Sequence, residues 1–344
     1  MNPSSLPVHV VVMAAGKGTR MKSARPKVLH QLGGQALLQR VLHTAHDLGA
    51  QQCVVITGHQ AEAVEAATQG FVPEGLSLQF ARQEPQLGTG HAVQQATPAL
   101  ESGSIALILS GDVPLTEVAT LQPLIDAAQQ GALALLTVDH PQPDGYGRIV
   151  RDAQNQVLAI VEHKDANEGQ RAIREIYSGI MAVKVDHLRP WLARLDNNNA
   201  QSEYYLTDVV RFAAEDGVTI QAVCIDDPVQ VEGVNSPQQL AALERALQWR
   251  QAQALMTAGV RLADPARIDI RGDLQCGQDV AIDINCIFEG AVRIDEGASI
   301  GAHCVLRNCH IQAGAQIHPY THIDGGKEGA TVGARSLIAP FARL

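Results

Sequence analysis

The sequence predicts an α/β fold in two parts: a mostly parallel sheet covered by helices, followed by a parallel β-helix of hexapeptide repeats. Three observations predict it. Short apolar runs alternate with amphipathic stretches up to residue 225, aliphatic side chains recur every six residues after about residue 268, and only 3% of the residues are aromatic. A core of Ala, Val, Ile and Leu suits buried parallel strands and solenoid coils better than an aromatic-rich sandwich.

The first part has the strand–helix repetition of a parallel sheet. Six apolar runs are predicted to be strands: Val8–Met13, Cys53–Thr57, Ile105–Leu109, Leu133–Val138, Gly179–Val185 and Ile220–Ile225. Three amphipathic stretches between them are predicted to be helices: Ala36–Leu48, Gln60–Thr68 and Glu117–Gln129. Such sheets are covered on both faces and bind ligands at the carboxyl ends of their strands. The loops after Met13 and Leu109 are therefore the first candidates for chemistry.

The second part begins with a long helix, for which Ser236 is the predicted N-cap and Gly259 the stop signal. Beyond it, aliphatic residues six apart form four triplets, which stack as coils of a parallel β-helix. The triplets are Leu274, Val280 and Cys286; Ile294, Ile300 and Leu306; Ile311, Ile317 and Ile323; and Val332, Ile338 and Leu344. The predicted organisation is a sheet domain at 1–235, a helical linker at 236–262 and a partial β-helix at 263–344.

Composition excludes several classes of protein. The chain is 46% hydrophobic, which excludes disorder, and its formal net charge of -10 argues against a general nucleic-acid binder. No apolar stretch reaches the ~20 residues that span a bilayer, and the first residues lack the basic start of a signal peptide. The six cysteines show no CxxC spacing. We therefore expect a cytoplasmic protein with reduced thiols, and neither nucleic acid nor a membrane as partner.

The loop from Lys17 to Lys27 is strongly basic, although the chain as a whole is acidic. Between Lys17 and Lys27 there are five cations and no acid, and Gly16 and Gly18 let backbone N–H groups approach an anion closely. A polyphosphate is the natural partner of such a loop, and the plainer alternative is a solvated basic turn. A dinucleotide fingerprint is disfavoured because Met21 stands where a third glycine is required, and no Walker A string occurs.

The string from Ala14 to Met21, followed by Pro26-Lys27, resembles the signature of sugar-1-phosphate nucleotidylyltransferases. Further strings follow in order: Gln86–Ala92, Gly111–Leu115, Gly145–Ile149, Ile160–Ala166 and Val231–Asn235. Together with the hexapeptide tail, they are similar to the bacterial bifunctional N-acetylglucosamine-1-phosphate uridyltransferases/glucosamine-1-phosphate acetyltransferases, over essentially the whole chain. The resemblance implies a Rossmann-like nucleotidyltransferase domain, a left-handed β-helix and a homotrimer formed through that helix.

The resemblance also implies an activity: Mg²⁺-dependent uridylyl transfer from UTP to N-acetylglucosamine 1-phosphate, giving UDP-N-acetylglucosamine and pyrophosphate for cell-wall and lipopolysaccharide precursors. It implies Arg20 and Lys27 as catalytic cations, and Asp112 and Asn235 as Mg²⁺ ligands. The implied substrate-binding residues are Met13, Ala14, Ala15, Gly16, Lys27, Gln83, Gly88, Thr89, Ser110, Gly111, Asp112, Gly147, Glu162 and Asn235. Amide groups suit the donor and acceptors of uracil, and one or two protein oxygens plus phosphate and water suit Mg²⁺.

Two residues depart from the family pattern. Ser110 stands where relatives usually carry Tyr, and Tyr177 stands where they usually carry an Asn that contacts the sugar. The second departure leaves open a related nucleotidyltransferase acting on glucose 1-phosphate as the alternative. The family's acetyltransferase site lies beyond the string Pro340–Leu344, so the residues for acetyl transfer are not expected in this chain.

Overall fold

The computed structural model describes residues 5–344. They form two compact units. The first contains the residues up to His30 together with Leu37–Ser236, and the second contains Gln31–Ala36 together with Pro237–Leu344. The second unit therefore includes a short hairpin from the early part of the chain and the long helix after Ser236. The sequence predicts instead that this hairpin belongs to the sheet domain and that the helix is a separate linker.

Eleven strands lie before residue 236 in the described part of the chain. They are β1 (Val8–Met13), β2 (Gln31–Leu32), β3 (Gln35–Ala36), β4 (Gln52–Thr57), β5 (Ser77–Arg82), β6 (Ile105–Ser110), β7 (Leu133–Asp139), β8 (Arg148–Arg151), β9 (Val157–Val161), β10 (Glu175–Lys184) and β11 (Ile220–Ile225). The main sheet has the order β11-β7-β10-β6-β1-β4-β5, and the β8–β9 hairpin pairs with β10. All pairs along that order are parallel except those of β10, which runs antiparallel to β6 and β7.

Helices cover both faces of this sheet. They are α1 (Leu37–Asp47), α2 (Ala61–Gln69), α3 (Thr89–Ala96), α4 (Val118–Gln129), α5 (Glu168–Arg171), α6 (Val185–Ala193) and α7 (Asp208–Glu215). Alternate residues of the central strands point to opposite faces, so β1 contributes Val10 and Val12 to one apolar cluster and Val11 to the other. The mixed, mostly parallel sheet confirms the fold class predicted for the first part of the chain.

The second unit contains the helix α8 (Pro237–Thr257) and a stack of parallel strands. The strands are β12 (Arg261–Leu262), β13 (Ile268–Cys276), β14 (Ala281–Ile282), β15 (Cys286–Ile294), β16 (Ser299–Ile300), β17 (Val305–Ile311), β18 (Gln316–Ile317), β19 (His322–Asp324), β20 (Ala330–Val332) and β21 (Leu337–Ile338). Two sheets, β12-β14-β16-β18-β21 and β13-β15-β17-β19 with β20 beside β17, pair each coil with the next. This is the predicted parallel β-helix.

The register of the coils corrects one detail of the predicted repeat. Ile294, Ile300 and Leu306 align with Cys276, Ile282 and Phe288 of the preceding coil. The predicted first triplet, at 274, 280 and 286, is thus two residues out of register with the others. Side chains two apart on an extended segment point the same way, and both Cys286 and Phe288 are buried. A period of six therefore could not decide between the two sets.

No helix within residues 5–344 combines the length and the apolar character needed to cross a bilayer.

Candidate functional site

The basic loop leaves the carboxyl end of β1, in the middle of the main sheet. Gly18 has φ +59, and a Cβ built on it would lie 2.7 Å from the Cβ of Lys27. Only glycine combines this backbone conformation with so close an approach. The loop is therefore folded back so that Gly18 lies against Lys27, and the missing Cβ of Gly18 leaves room for the Lys27 side chain.

The carboxyl ends of β1 and β6 lie side by side. Met13 is the register partner of Ser110, and the Gly111 N–H donates to the Met13 carbonyl at 2.9 Å. A Cβ on Gly111 would lie 3.3 Å from the Cβ of Ala14, which is tighter than ordinary contact. The two loops that the sequence marks as candidates for chemistry therefore begin at adjacent backbone positions.

Three of the predicted site residues meet at one point beyond these strand ends. The Lys27 ammonium donates to Asp112 Oδ2 at 2.6 Å and to Asn235 Oδ1 at 3.1 Å. The side chains of Lys27 and Asp112 are only 13% and 16% exposed. Asn235 is carried to the same place because the Val234 N–H donates to the Asp112 carbonyl at 2.9 Å. Residues 85 and 208 positions from Lys27 thus surround its charge.

This convergence fits a divalent cation. A carboxylate oxygen and an amide oxygen both face one positive charge, and hard cations such as Mg²⁺ prefer oxygen ligands of these two kinds. Gly233 keeps the space open, since a Cβ there would come within 3.3 Å of Asp112 Oδ2. The described residues contain no group of three or more His, Cys, Asp or Glu side chains suited to a metal. The convergence itself offers such an ion two protein oxygens, one from Asp112 and one from Asn235.

Gln83, Gly88 and Thr89 lie together where β5 leads into α3. The Gln83 Nε2 donates to the Gly88 carbonyl at 2.8 Å, and Thr89 Oγ1 accepts from the Leu206 N–H at 3.0 Å. Gly88 has φ +113, and a Cβ there would lie 2.6 Å from the Tyr204 carbonyl. Glycine is required at this position by conformation and by contact.

Gly147 and Glu162 face each other across the β8–β9 hairpin. A Cβ on Gly147 would lie 3.7 Å from both carboxylate oxygens of Glu162. Thr207 donates to Glu162 Oε1 at 3.0 Å. Burial raises the pKa of Glu162, and although the bond from Thr207 opposes that shift, Asp165 and Asp208 add to it. Glu162 therefore holds a proton more readily than a solvent-exposed glutamate, and one of its oxygens already accepts a hydrogen bond from Thr207.

Tyr177 lies beside this pair. Its N–H donates to the Gly147 carbonyl at 2.9 Å, and its side chain is buried. The buried hydroxyl has no hydrogen-bond partner among the described residues. Burial raises the pKa of this phenol, and the neighbouring Glu162 raises it further, so the hydroxyl stays protonated.

Arg20 stands apart from this arrangement. It lies in a short 3₁₀ turn, Thr19–Met21, and its exposed side chain makes no hydrogen bond or ion pair with the described residues. The structure brings together Lys27, Asp112 and Asn235 at one point, Gln83 with Gly88 at a second, and Gly147 with Glu162 at a third. Arg20 joins none of them through a direct contact.

Several residues that support the site were not selected from the sequence. Gln86 donates to the Ala15 carbonyl and ties the loop before α3 to the loop after β1. Thr207 holds Glu162, and His91 lies 3.2 Å from the Gln83 amide nitrogen. Gln86 and His91 belong to a string that the sequence does single out, whereas no local pattern marks Thr207, which lies 45 positions from Glu162.

Comparisons with known proteins define the class first. Residues 10–196 match the family described as MobA-like NTP transferase domain. A solved structure titled "The Crystal Structure of UDP-glucose pyrophosphorylase complexed with UDP-glucose" has a TM-score of 0.58 at 16% identity, covering 71% of this chain and all of that one. At that identity the likeness concerns the fold alone. Fold and family match together define a nucleotidyltransferase.

Curated relatives give the particular family. The chain is 61% identical over 343 residues to the Bifunctional protein GlmU of Albidiferax ferrireducens, and 62% identical over 351 residues to that of Polaromonas sp. strain JS666. The alignments cover 98% of this chain and 74% and 73% of those proteins. The chain belongs to the GlmU family. It is a UDP-N-acetylglucosamine diphosphorylase, and the alternative activity on glucose 1-phosphate is not favoured.

Proposed function

We propose that residues 1–235 carry out the Mg²⁺-dependent transfer of a uridylyl group from UTP to N-acetylglucosamine 1-phosphate at the carboxyl ends of β1 and β6. The observation that carries this proposal is the convergence of Lys27, Asp112 and Asn235 on one point. Family membership supports a divalent metal and nucleotide and sugar-phosphate substrates. Mg²⁺ itself is the finer proposal, and its basis is the all-oxygen donor pair.

In this proposal the residues divide the work by chemistry. Asp112 and Asn235 hold the metal, which when bound neutralises charge on the triphosphate oxygens. Arg20 and Lys27 contact the phosphates, because cations placed where charge develops lower the barrier to phosphoryl transfer. The exposed position of Arg20 leaves it free to reach a ligand. The backbone of Met13–Gly16 contacts the uracil and ribose, and Ser110 and Gly111 contribute to substrate binding beside Asp112.

The two substrates occupy separate groups of residues. Gln83, Gly88 and Thr89 bind the uracil and ribose through amide and hydroxyl groups, and Gly147 and Glu162 bind the amino sugar. The sugar phosphate oxygen then attacks the α-phosphorus in line, and pyrophosphate leaves. No side chain forms a covalent bond, since positioning and charge neutralisation supply the catalysis.

We also propose a cytoplasmic homotrimer assembled through the β-helix. All six cysteines are free thiols, and burial raises the pKa of Cys53 and Cys286, which keeps them protonated. A reducing compartment suits this cysteine usage. The flat faces of stacked parallel strands in the second unit give identical copies repeated surfaces on which to associate.

Pyrophosphate release from UTP tests the proposal. With Mg²⁺ present, N-acetylglucosamine 1-phosphate should support turnover, and glucose 1-phosphate should be a much poorer acceptor. Arg20→Ala should lower kcat by at least about a hundredfold without changing the unfolding temperature, because the Arg20 side chain makes no hydrogen bond or ion pair within residues 5–344. Wild-type turnover by a folded Arg20→Ala variant would contradict the assignment of Arg20, and turnover without divalent metal would contradict the role given to Asp112 and Asn235.

A further inference from the structure

The orientation of the Gln83 side chain is fixed by its hydrogen bonds. Gln83 is 5% exposed, and its amide nitrogen lies 2.8 Å from the Gly88 carbonyl oxygen. A carbonyl oxygen only accepts hydrogen bonds, so the atom of the carboxamide that faces it must be the NH₂ group. The Gln83 Oε1 atom consequently points away from Gly88 and has no hydrogen-bond partner among the described residues.

His91 meets the same amide nitrogen from the first turns of α3. Its Nδ1 lies 3.2 Å from Gln83 Nε2. Because one N–H of the amide is used by Gly88, the second is directed at the imidazole, and Nδ1 must accept it. The imidazole therefore carries its proton on Nε2. Gln95, one turn further along α3, donates its amide N–H to the His91 backbone carbonyl at 3.2 Å, and the same nitrogen lies 3.3 Å from His91 Nε2.

The two hydrogen bonds made by the Gln83 amide nitrogen fix the orientation of the carboxamide more firmly than one bond would. A carboxamide held only by Gly88 can pivot about that contact, whereas a second acceptor fixes its plane and the direction of its oxygen. The remaining oxygen is then a defined acceptor. On the uracil edge the matching group is the N3–H donor, and cytosine carries an unprotonated acceptor nitrogen at that position.

We infer that His91 is a positioning residue that locks the Gln83 carboxamide with its oxygen towards the nucleobase, and so gives this site its preference for uracil over cytosine. The inference rests on the proposed function, in which Gln83 binds the base. His91 acts through Gln83, to which its ring is hydrogen-bonded. Its effect should appear in nucleotide binding and base preference and should leave the chemical step unchanged.

The experiment compares His91→Leu, which removes the acceptor, with His91→Asn, whose side-chain oxygen can stand where Nδ1 does. For His91→Leu we expect the KM for UTP to rise about tenfold, the effect of one net hydrogen bond, with kcat and the KM for the sugar phosphate unchanged. The ratio of kcat/KM for UTP over CTP should fall by a similar factor. His91→Asn should restore both values to within about twofold of wild type.

His46→Leu, an exposed histidine on α1, is the matched control for loss of an imidazole. Equal effects of the Leu and Asn substitutions, or an unchanged UTP over CTP ratio in a folded His91→Leu variant, would overturn the inference about His91 while leaving uridylyl transfer standing. Failure of the wild-type protein to use UTP at all would instead overturn the proposed function. Unfolding temperatures of all three variants distinguish a local effect from damage to α3.

Discussion

Replacing Lys27 with methionine should make the protein bind a divalent cation more tightly in the absence of nucleotide. Lys27 places its ammonium against both proposed metal ligands, 2.6 Å from Asp112 and 3.1 Å from Asn235. A divalent ion can take these two oxygens only after the ammonium leaves. Methionine keeps most of the length of the side chain and removes the charge and the donors.

The size of the effect follows from the contact. A hydrogen bond between charged partners contributes about 1.5–3 kcal/mol, and the pair is only 13% and 16% exposed, so solvent weakens it little. Each 1.4 kcal/mol is a tenfold change in affinity, so metal binding should tighten by about 10–100-fold. Turnover should fall at the same time, because the cation proposed to contact the triphosphate is gone.

Mn²⁺ titrated without nucleotide and followed by electron paramagnetic resonance measures this affinity directly. Lys22→Met is the matched control, since it removes an exposed cation from the same loop and should change the affinity by no more than about threefold. An equal gain from both variants would mean that only the net charge of the loop matters. An unchanged or weaker affinity in Lys27→Met would refute the idea that Lys27 and the metal compete for the same oxygens.

Three further substitutions test other parts of the structure. Gly18→Ala should lower kcat by about tenfold or more, because the new Cβ would press on Lys27. Gly49→Ala is the control for backbone strain alone, since Gly49 has φ +79 but no atom lies within 4 Å of where its Cβ would stand. Burial raises the pKa of Glu162, so wild-type stability should fall as pH rises through that raised value. In urea unfolding, the stability of Glu162→Gln should therefore increase relative to wild type from about pH 4 to pH 8. A difference that stays constant with pH would contradict the burial argument. Leu306→Ala, at a fully buried position of the β-helix, should cost about 3 kcal/mol of unfolding free energy, and a loss below about 1 kcal/mol would mean that the coils close over the cavity.

The central strands could be predicted from sequence because parallel strands buried on both faces are continuous apolar runs. Val8–Met13, in the middle of the sheet, has the predicted bounds. Ile220–Ile225 has them too, although β11 is an edge strand with partly exposed side chains, because its residues are still mostly apolar. The edge strand β5 was missed because its side chains are half exposed or exposed, so it forms no apolar run. The start of β10 was placed four residues late, since its irregular pairing between Tyr177 and Met181 breaks the pattern.

Short sequence motifs predict the individual residues of the candidate site, but they do not predict which of these residues contact one another. Lys27, Asp112 and Asn235 each belong to a short motif that can be found in the sequence. Their contact with one another, however, joins residues up to 208 positions apart. The contacts of Thr207 with Glu162 and of His91 with Gln83 likewise arise from tertiary structure, because a hydroxyl or imidazole has no local sequence pattern that reveals its partner. The convergence of Lys27 with both metal-ligand candidates is the feature that no string could supply.

The hairpin β2–β3 has a practical consequence for dividing this protein. The chain leaves the first unit at His30, returns at Leu37 and leaves again at Ser236, so no single cut separates the two units. A recombinant fragment that ends at residue 236 would contain the hairpin but lack Pro237–Leu344, the rest of the unit to which the hairpin belongs. Leu32 of the hairpin is fully buried in the whole chain. Conversely, a single break in the chain just before α8 should yield two pieces that still purify together.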